Sequence, residues 1–167
     1  MPVLWLSHAL LPDGWAADVR LRVESGRFAA VETGVPPQAG DHRLGPGFPG
    51  LANLHSHAFQ RGMAGLAETS GPTDDDFWSW REAMYRFVLT LDPDQIEAIA
   101  ALAFAEMAEA GFTTVGEFHY LHHAPDGARY ADIAELASRI AAASETVGIG
   151  LTLLPVFYAH GNFGGAS

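Results

Sequence analysis

The sequence predicts an α/β fold in which a small antiparallel β-sheet is followed by a parallel sheet with helices between its strands. Three observations support this fold class. Short strand-like segments separated by turns fill residues 3–33. Three longer apolar segments follow, and a helix with clear start and stop signals lies between the first two of them. Apolar strands that alternate with helices are typical of a parallel sheet that is covered on both faces.

The N-terminal domain is predicted to be the small antiparallel sheet. Its strand-like segments are apolar or alternate with a period of two, and they are residues 3–11, 19–23 and 28–31. Turn sequences containing glycine separate these segments. A linker rich in glycine, proline and polar residues runs from Thr33 to about Gly47. We therefore expect the small domain over residues 1–46 and the parallel sheet over residues 47–167.

The parallel sheet is predicted to begin with the stretch Pro46–His57, which ends in two histidines separated by one residue. In an extended strand, residues i and i+2 point to the same side, about 6.6 Å apart along the chain. His55 and His57 can then share one metal ion at Zn–N distances of about 2.0–2.1 Å. A hydrogen-bonded pair of histidines is the alternative. The position favours a metal, because the strands of a (β/α) barrel carry functional groups at their C-terminal ends.

Three helices are predicted after this strand. Thr73-Asp74-Asp75-Asp76 places a capping side chain and three acids at the start of the first helix. Asp92-Pro93-Asp94-Gln95 gives the second helix an N-cap, a proline at its first position and a glutamine at its third. This helix is expected to reach Ala110 and to end at Gly111. A third helix is predicted from about Tyr130 to Ser144.

Two further apolar strands, at residues 112–118 and 149–157, complete a βαβαβ series. Histidines and tyrosines follow them, namely His119, Tyr120, His122 and His123 after the first and Tyr158 and His160 after the second. All three strands of the predicted parallel sheet therefore end in polar, potentially functional residues.

The composition disfavours several classes of function. The formal net charge of −11 argues against nucleic acid and anionic membranes as partners, since both are bound by basic patches. The chain has no cysteine, so a metal must be bound by histidine, aspartate or glutamate. No apolar run reaches the roughly 18 residues of a membrane span, and the N-terminus lacks the features of a signal peptide. We therefore expect a cytoplasmic protein.

Several motifs resemble those of one enzyme family. The N-terminal strands followed by P-G-F-P-G-L-A-N-L-H-S-H are similar to the start of amidohydrolase-superfamily proteins. Four tracts, H-S-H-A-F-Q-R-G-M-A-G, D-D-F-W-S-W-R-E-A-M-Y, G-E-F-H-Y-L-H-H and L-P-V-F-Y-A-H, resemble the formimidoylglutamate deiminases of histidine degradation. The resemblance implies hydrolysis of a small molecule, N-formimino-L-glutamate, to N-formyl-L-glutamate and ammonia. It also implies the first three strands of a (β/α)8 TIM barrel, and a full-length protein that is a homodimer.

The resemblance also implies roles for single residues. His55 and His57 would be ligands of one catalytic zinc ion, and Gln60, Arg81 and Tyr120 would surround the substrate. An arginine suits a substrate with two carboxylates, because its guanidinium binds a carboxylate through two parallel hydrogen bonds. The family takes its other zinc ligands and its catalytic acid/base groups from later strands, so we expect these beyond Ser167. We therefore expect an incomplete barrel that is inactive by itself.

The remaining histidines are not expected to bind the metal. His119, His122, His123 and His160 are interpreted as hydrogen-bonding, packing or pocket-lining residues, and His8 and His42 as surface residues. Glu117 would need a partner if its strand buries it. Two alternatives stay open for the function. One is another aminohydrolase of the superfamily, acting on guanine, adenosine or a triazine, although Arg81 and Gln60 favour an acidic substrate without a ring. The other is a non-catalytic metal-binding fragment.

Overall fold

A computed structural model describes residues 2–66 and 77–158, which form a mixed α/β structure. The chain divides into two compact units, Met1–Pro49 and Gly50–Ser167. Within the described residues, no helix is both long and apolar enough to cross a membrane. The predicted helix start at 73–76 and the predicted strand-end residue His160 lie outside the described part of the chain.

The first unit is a four-stranded sheet with the strand order β3-β2-β1-β4. Its strands are β1 (Val3–Leu11), β2 (Gly14–Glu24), β3 (Arg27–Glu32) and β4 (His42–Leu44). The first three pair antiparallel, as the sequence predicts. The sheet nevertheless differs from a purely antiparallel one, because β4 pairs parallel with β1.

The linker explains the parallel strand. It carries the chain from β3 at one edge of the sheet to the opposite edge, where β4 runs in the same direction as β1. Two side chains hold the linker in place. Trp5 donates its indole N–H to the Val35 carbonyl at 2.9 Å, and the Arg20 guanidinium makes a bidentate ion pair with Asp41, with N–O distances of 2.9 and 3.0 Å. A three-residue strand held by such distant contacts has no signal of its own in the sequence.

The second unit contains a three-stranded parallel sheet with the order β5-β6-β7. Its elements are β5 (Leu51–Ser56), a 3₁₀ helix (Ala58–Met63), α1 (Phe77–Val88), α2 (Pro93–Glu109), β6 (Phe112–His119), α3 (Glu135–Val147) and β7 (Gly150–Pro155). The buried core lies between the helices and the sheet, and its fully buried members include Ile96, Phe104, Val115 and Ile140. The predicted parallel arrangement of the three strands is confirmed.

Helix α2 has the predicted start and end. The Asp92 carboxylate accepts a hydrogen bond from the Gln95 N–H at 2.8 Å, and the Gln95 side chain accepts one from the Asp92 N–H at 3.0 Å. This reciprocal pair satisfies two N–H groups that an uncapped helix would leave without partners. Gly111 has a φ of 91°, a left-handed conformation that glycine adopts without a steric penalty.

Helix α3 differs from its prediction at both ends. It begins at Glu135 rather than near Tyr130, and it continues to Val147 rather than ending at Ser144. The late start has a local cause, because the Asp132 carboxylate accepts a hydrogen bond from the Ala134 N–H at 2.8 Å. Such aspartate turns compete with helical hydrogen bonds. The helix ends where Gly148 adopts a φ of 80°.

Candidate functional site

The C-terminal end of β5 contains a β-bulge. Asn53 is in register with Val115 of β6, but the next registered pair is Ser56 with Glu117. Three steps along β5 therefore correspond to two steps along β6, which is the signature of an extra residue in one strand. The Asn53 side chain stabilises this irregularity, since its Oδ1 accepts a hydrogen bond from the His55 N–H at 3.2 Å.

Gly116 faces the bulge from the neighbouring strand. A Cβ atom at this position would lie only 3.0 Å from the Leu54 carbonyl oxygen. That carbonyl belongs to the backbone and cannot swing away as a flexible side chain would. Glycine at 116 therefore allows the bulged backbone of β5 to approach β6 closely.

His55 lies within the bulge and His57 directly follows β5, and their rings face each other. Their Nε2 atoms lie 3.1 Å apart, and their rings are perpendicular with centroids separated by 4.7 Å. His57 Nδ1 lies 2.9 Å from the Phe118 carbonyl oxygen. Because a carbonyl can only accept, Nδ1 carries the proton, and in a neutral ring this leaves a lone pair on Nε2. The Nε2 atom of His57 is therefore prepared to bind a cation or to accept a hydrogen bond from His55.

The distance between the two Nε2 atoms fits a shared zinc ion. Two nitrogen ligands at 2.0–2.1 Å from a tetrahedral zinc are separated by about 3.3 Å, close to the 3.1 Å observed. In the part of the chain that the structure describes, no group of three or more metal-ligating side chains lies close enough together to hold an ion. The described residues thus offer a pair of ligands.

A buried carboxyl group lies beneath the histidine pair. Glu117 is only 1% exposed, and its Oε1 accepts a hydrogen bond from the Ala58 N–H at 2.7 Å. Burial raises the pKa of this carboxyl above its ordinary value, while interactions with the Ser56 side chain, the Ala58 N–H and His55 act in the opposite direction. The sequence left open which way this side chain points, and the structure turns it to the buried face that Val115 shares.

Gln60 and Tyr120 form a second polar group beside His57. The Gln60 side-chain amide donates to the Tyr120 hydroxyl at 3.2 Å, and the Tyr120 ring lies 5.1 Å from the His57 ring. The buried Met84 sulfur lies 3.4 Å from the Tyr120 hydroxyl and 3.6 Å from the Gln60 amide. Burial raises the pKa of Tyr120 to about 12. The hydroxyl therefore keeps its proton at neutral pH and can donate a hydrogen bond.

Arg81 lies on α1, one helical turn before Met84. Its guanidinium carbon is 4.8 Å from the centre of the Tyr85 ring and 5.9 Å from that of Trp78. Its Nη2 also lies 3.4 Å from the Tyr85 hydroxyl. Of the residues singled out in the sequence, the structure brings His55, His57, Gln60 and Tyr120 together. Arg81 lies on the same helix as Met84, and the Met84 sulfur contacts Gln60 and Tyr120.

Among the described residues, His119 and His122 lie close together, with their ring centroids 5.4 Å apart. His119 is buried, and burial together with the nearby His122 lowers its pKa to about 4, although a hydrogen bond to the Leu121 backbone opposes the shift. His122 donates from Nε2 to the Val156 carbonyl at 2.8 Å. His8 and His42 are exposed on the first unit, as expected.

Sequence reasoning left one support of the site undecided and missed the others. Glu117 was named as a carboxyl group that needs a partner if it is buried, but its face was left open. Residues 115, 117 and 119 alternate on one face of an apolar strand, and a typical core residue at 115 indicates that this face is buried. Met84 fits the apolar pattern of α1 but gives no sign that its sulfur contacts two polar groups. The Phe118 carbonyl has no signal at all, since every residue has one.

Comparison with known proteins identifies the family. Residues 1–45 match the family model described as formimidoylglutamate deiminase HutF, N-terminal domain, and residues 48–161 match the amidohydrolase family. The second match covers more than half of the chain. The chain therefore belongs to the amidohydrolase family, as the motifs around His55 and His57 predict.

Three individual proteins show how similar this chain is to known amidohydrolases. The chain is 51% identical over 166 residues to the formimidoylglutamate deiminase of Pseudomonas aeruginosa, which covers 99% of this chain and 37% of the relative. A crystal structure of an amidohydrolase from Brucella melitensis superposes with a TM-score of 0.95 at 57% identity, covering 100% of this chain and 37% of that one. Atrazine chlorohydrolase TrzN from Arthrobacter aurescens TC1, solved with zinc, shares the fold with a TM-score of 0.71 at 16% identity, covering 93% and 35%. The chain thus spans a little over a third of the length of these relatives.

Proposed function

We propose that this chain is the N-terminal part of a metal-dependent deiminase that hydrolyses N-formimino-L-glutamate to N-formyl-L-glutamate and ammonia in histidine degradation. The observation that carries the proposal is the 51% identity, over 99% of the chain, to a formimidoylglutamate deiminase. In this proposal residues 1–46 form a small β-domain, and residues 47–167 contribute the first three strands of a (β/α)8 barrel. The remaining strands would come from the rest of the full-length protein.

His55 and His57 are the proposed ligands of one catalytic zinc ion. The 3.1 Å separation of their Nε2 atoms and the hydrogen bond from His57 Nδ1 to Phe118 support this role. Zinc held there would supply the means to activate water at neutral pH, because it lowers the pKa of a coordinated water to about 7. The other ligands and the catalytic acid/base groups are proposed to lie beyond Ser167, so no catalytic acid or base is assigned within this chain.

Gln60, Arg81 and Tyr120 are the proposed substrate-binding residues. N-formimino-L-glutamate carries two carboxylates, which suit a guanidinium and a phenol O–H donor. The Tyr120 hydroxyl is available as a donor, because a tyrosine with an ordinary or raised pKa keeps its proton at neutral pH. The Gln60 amide, held by the Tyr120 hydroxyl, adds a directional donor beside His57. These residues favour an acidic linear substrate over the ring substrates of related aminohydrolases.

We further propose that the full-length protein is a cytoplasmic homodimer with a small-molecule substrate and with neither nucleic acid nor membrane as a partner. The net charge of −11 over the 167 residues of this chain supports the last two points for this part of the protein, because basic patches are needed for both. The homodimer follows from the family resemblance alone.

The proposal is tested in the full-length protein by zinc analysis and by ammonia release from N-formimino-L-glutamate. We expect one zinc per chain, and we expect His55→Ala and His57→Ala each to lose both the zinc and the activity. His42→Ala, at an exposed histidine of the first unit, is the matched control and should retain both. Unchanged zinc content and turnover in the His55 and His57 variants would reject the metal assignment. Faster turnover of guanine, adenosine or a triazine than of N-formimino-L-glutamate would reject the substrate.

A further inference from the structure

The Glu117 carboxyl group contacts the backbone on the far side of His57. In β6 it stands in register with Ser56, and its Oε1 accepts the Ala58 N–H at 2.7 Å. The Ser56 side chain also interacts with the carboxyl group. Ser56 and Ala58 are the residues immediately before and after His57, so Glu117 is paired in register with one neighbour of a proposed zinc ligand and accepts a hydrogen bond from the other.

The next residue of β6 holds the His57 ring itself. The Phe118 carbonyl accepts the hydrogen bond from His57 Nδ1 at 2.9 Å, and the Phe118 ring lies 4.8 Å from the His55 ring. Two consecutive residues of one strand therefore fix the backbone around His57, the orientation of its ring and one side of the His55 ring. Because β6 lies in the middle of the three-stranded sheet, the strand that makes these contacts is itself hydrogen-bonded to a neighbour on each side.

A carboxyl group is a costly choice for this buried position. Burying such a group without full hydrogen bonding is unfavourable, and the second oxygen of Glu117, Oε2, has no hydrogen-bond partner among the described residues. Val115, two residues earlier on the same face, shows that an apolar side chain packs well against the helices. Packing alone therefore does not explain a carboxyl group at position 117.

We propose that Glu117 is a positioning residue for the zinc site, which holds the Ser56–Ala58 backbone so that His57 Nε2 stays directed at the ion shared with His55. The inference rests on the proposed function for the presence of zinc. Glu117 acts through the backbone and does not itself contact the metal. Groups that orient a metal ligand are worth about 10–100-fold in metal affinity.

Zinc affinity in the full-length protein, measured by competition with a chelator, tests this role. Glu117→Met keeps a similar volume but removes the acceptor for the Ala58 N–H, so we expect zinc affinity to fall about 10–100-fold. Glu117→Gln keeps an oxygen acceptor and should stay within about threefold of the wild type, on the scale of one retained hydrogen bond. Val115→Ala, on the same face of the same strand, is the control for a general loss of packing and should leave the affinity unchanged.

The visible spectrum of bound Co²⁺ distinguishes a change in the geometry of the metal site from a general loss of protein stability. With the site saturated by Co²⁺, the visible spectrum reports the geometry around the metal. We expect a changed spectrum for Glu117→Met and a wild-type spectrum for Val115→Ala. A zinc affinity of Glu117→Met within about twofold of the wild type would overturn the inference, as would an equal loss of affinity in Val115→Ala.

Two further results complete the test. If Glu117→Met does not fold, Ser56→Ala removes the hydroxyl beside the carboxyl with little change in volume. Its zinc affinity should fall at least about threefold, and an unchanged affinity would overturn the inference. If the wild-type protein itself binds no zinc, the proposed function fails and the inference fails with it. If the wild type binds zinc and the Glu117 and Ser56 variants bind it equally well, the inference alone fails.

Discussion

The buried histidine of β6 should make the stability of the protein depend on pH. His119 is 3% exposed, and its Nε2 has no hydrogen-bond partner among the described residues. Protonation would place a positive charge on this buried ring next to His122, which is why its pKa falls from 6.5 to about 4. Between these two values the unfolded chain binds more protons than the folded one. Stability is therefore fully present above pH 6.5 and is lost as the pH falls towards 4.

The size of the effect follows from the two pKa values. The difference of about 2.5 units corresponds to about 3 kcal/mol in total, at about 1.4 kcal/mol per unit. About 2 kcal/mol of this should be lost between pH 7 and pH 5. Glu117 has a raised pKa and so contributes with the opposite sign, since its ionisation at higher pH destabilises the fold. It is present in both the wild type and a His119 variant, and its contribution cancels in their difference.

The measurement is urea denaturation of the full-length protein at pH 7 and pH 5, followed by tryptophan fluorescence. The free energy of unfolding should fall by about 2 kcal/mol more in the wild type than in His119→Asn. His42→Asn, at an exposed histidine, should keep the pH dependence of the wild type. If the wild type and His119→Asn lose stability in parallel between the two pH values, the ring is not held neutral by burial and the reasoning is wrong.

Three other perturbations follow from the structure. Asp92→Ala removes the capping box of α2 and should lower the free energy of unfolding by about 1 kcal/mol in urea titrations, whereas no loss would show that the cap contributes nothing. Tyr120→Phe removes the proposed donor beside His57 and should lower kcat/KM for N-formimino-L-glutamate by about three- to tenfold, mainly through KM, and unchanged kinetics would exclude a substrate contact. Purified residues 1–167 should show no deiminase activity, and robust turnover would contradict the view that later strands supply the catalytic groups.

Features encoded by adjacent residues could be predicted from the sequence. The capping box at Asp92 and Gln95 and the glycine that ends α2 were predicted correctly because their interactions span only a few residues. Strand β4 was missed, because its three residues are held by contacts with β1 and by the linker that Arg20 and Trp5 fix. The start of α3 was misplaced because the turn at Asp132 satisfies backbone groups that a longer helix would use.

In the candidate site, too, features encoded locally could be predicted and those that depend on distant contacts could not. The grouping of His55, His57, Gln60 and Tyr120 could be expected from strand ends and from motifs that resemble the family. The contacts that support these residues could not be expected, because they depend on the register between β5 and β6. Only that register places the Phe118 carbonyl opposite His57 Nδ1 and the Glu117 carboxyl opposite the Ala58 N–H.

The bulge in β5 decides which face of the sheet His55 and His57 occupy. Asn53 points towards the helices, where its side chain lies 3.5 Å from the Met107 sulfur. In a regular strand His55 and His57 would follow Asn53 onto that buried face, since side chains alternate with a period of two. The extra residue shifts the alternation, so that Ser56 is buried beside Glu117 and both histidine rings lie against Phe118 on the other face. The i, i+2 spacing thus keeps the rings together, whereas the bulge, which glycine at 116 permits, decides that they face the site rather than the core.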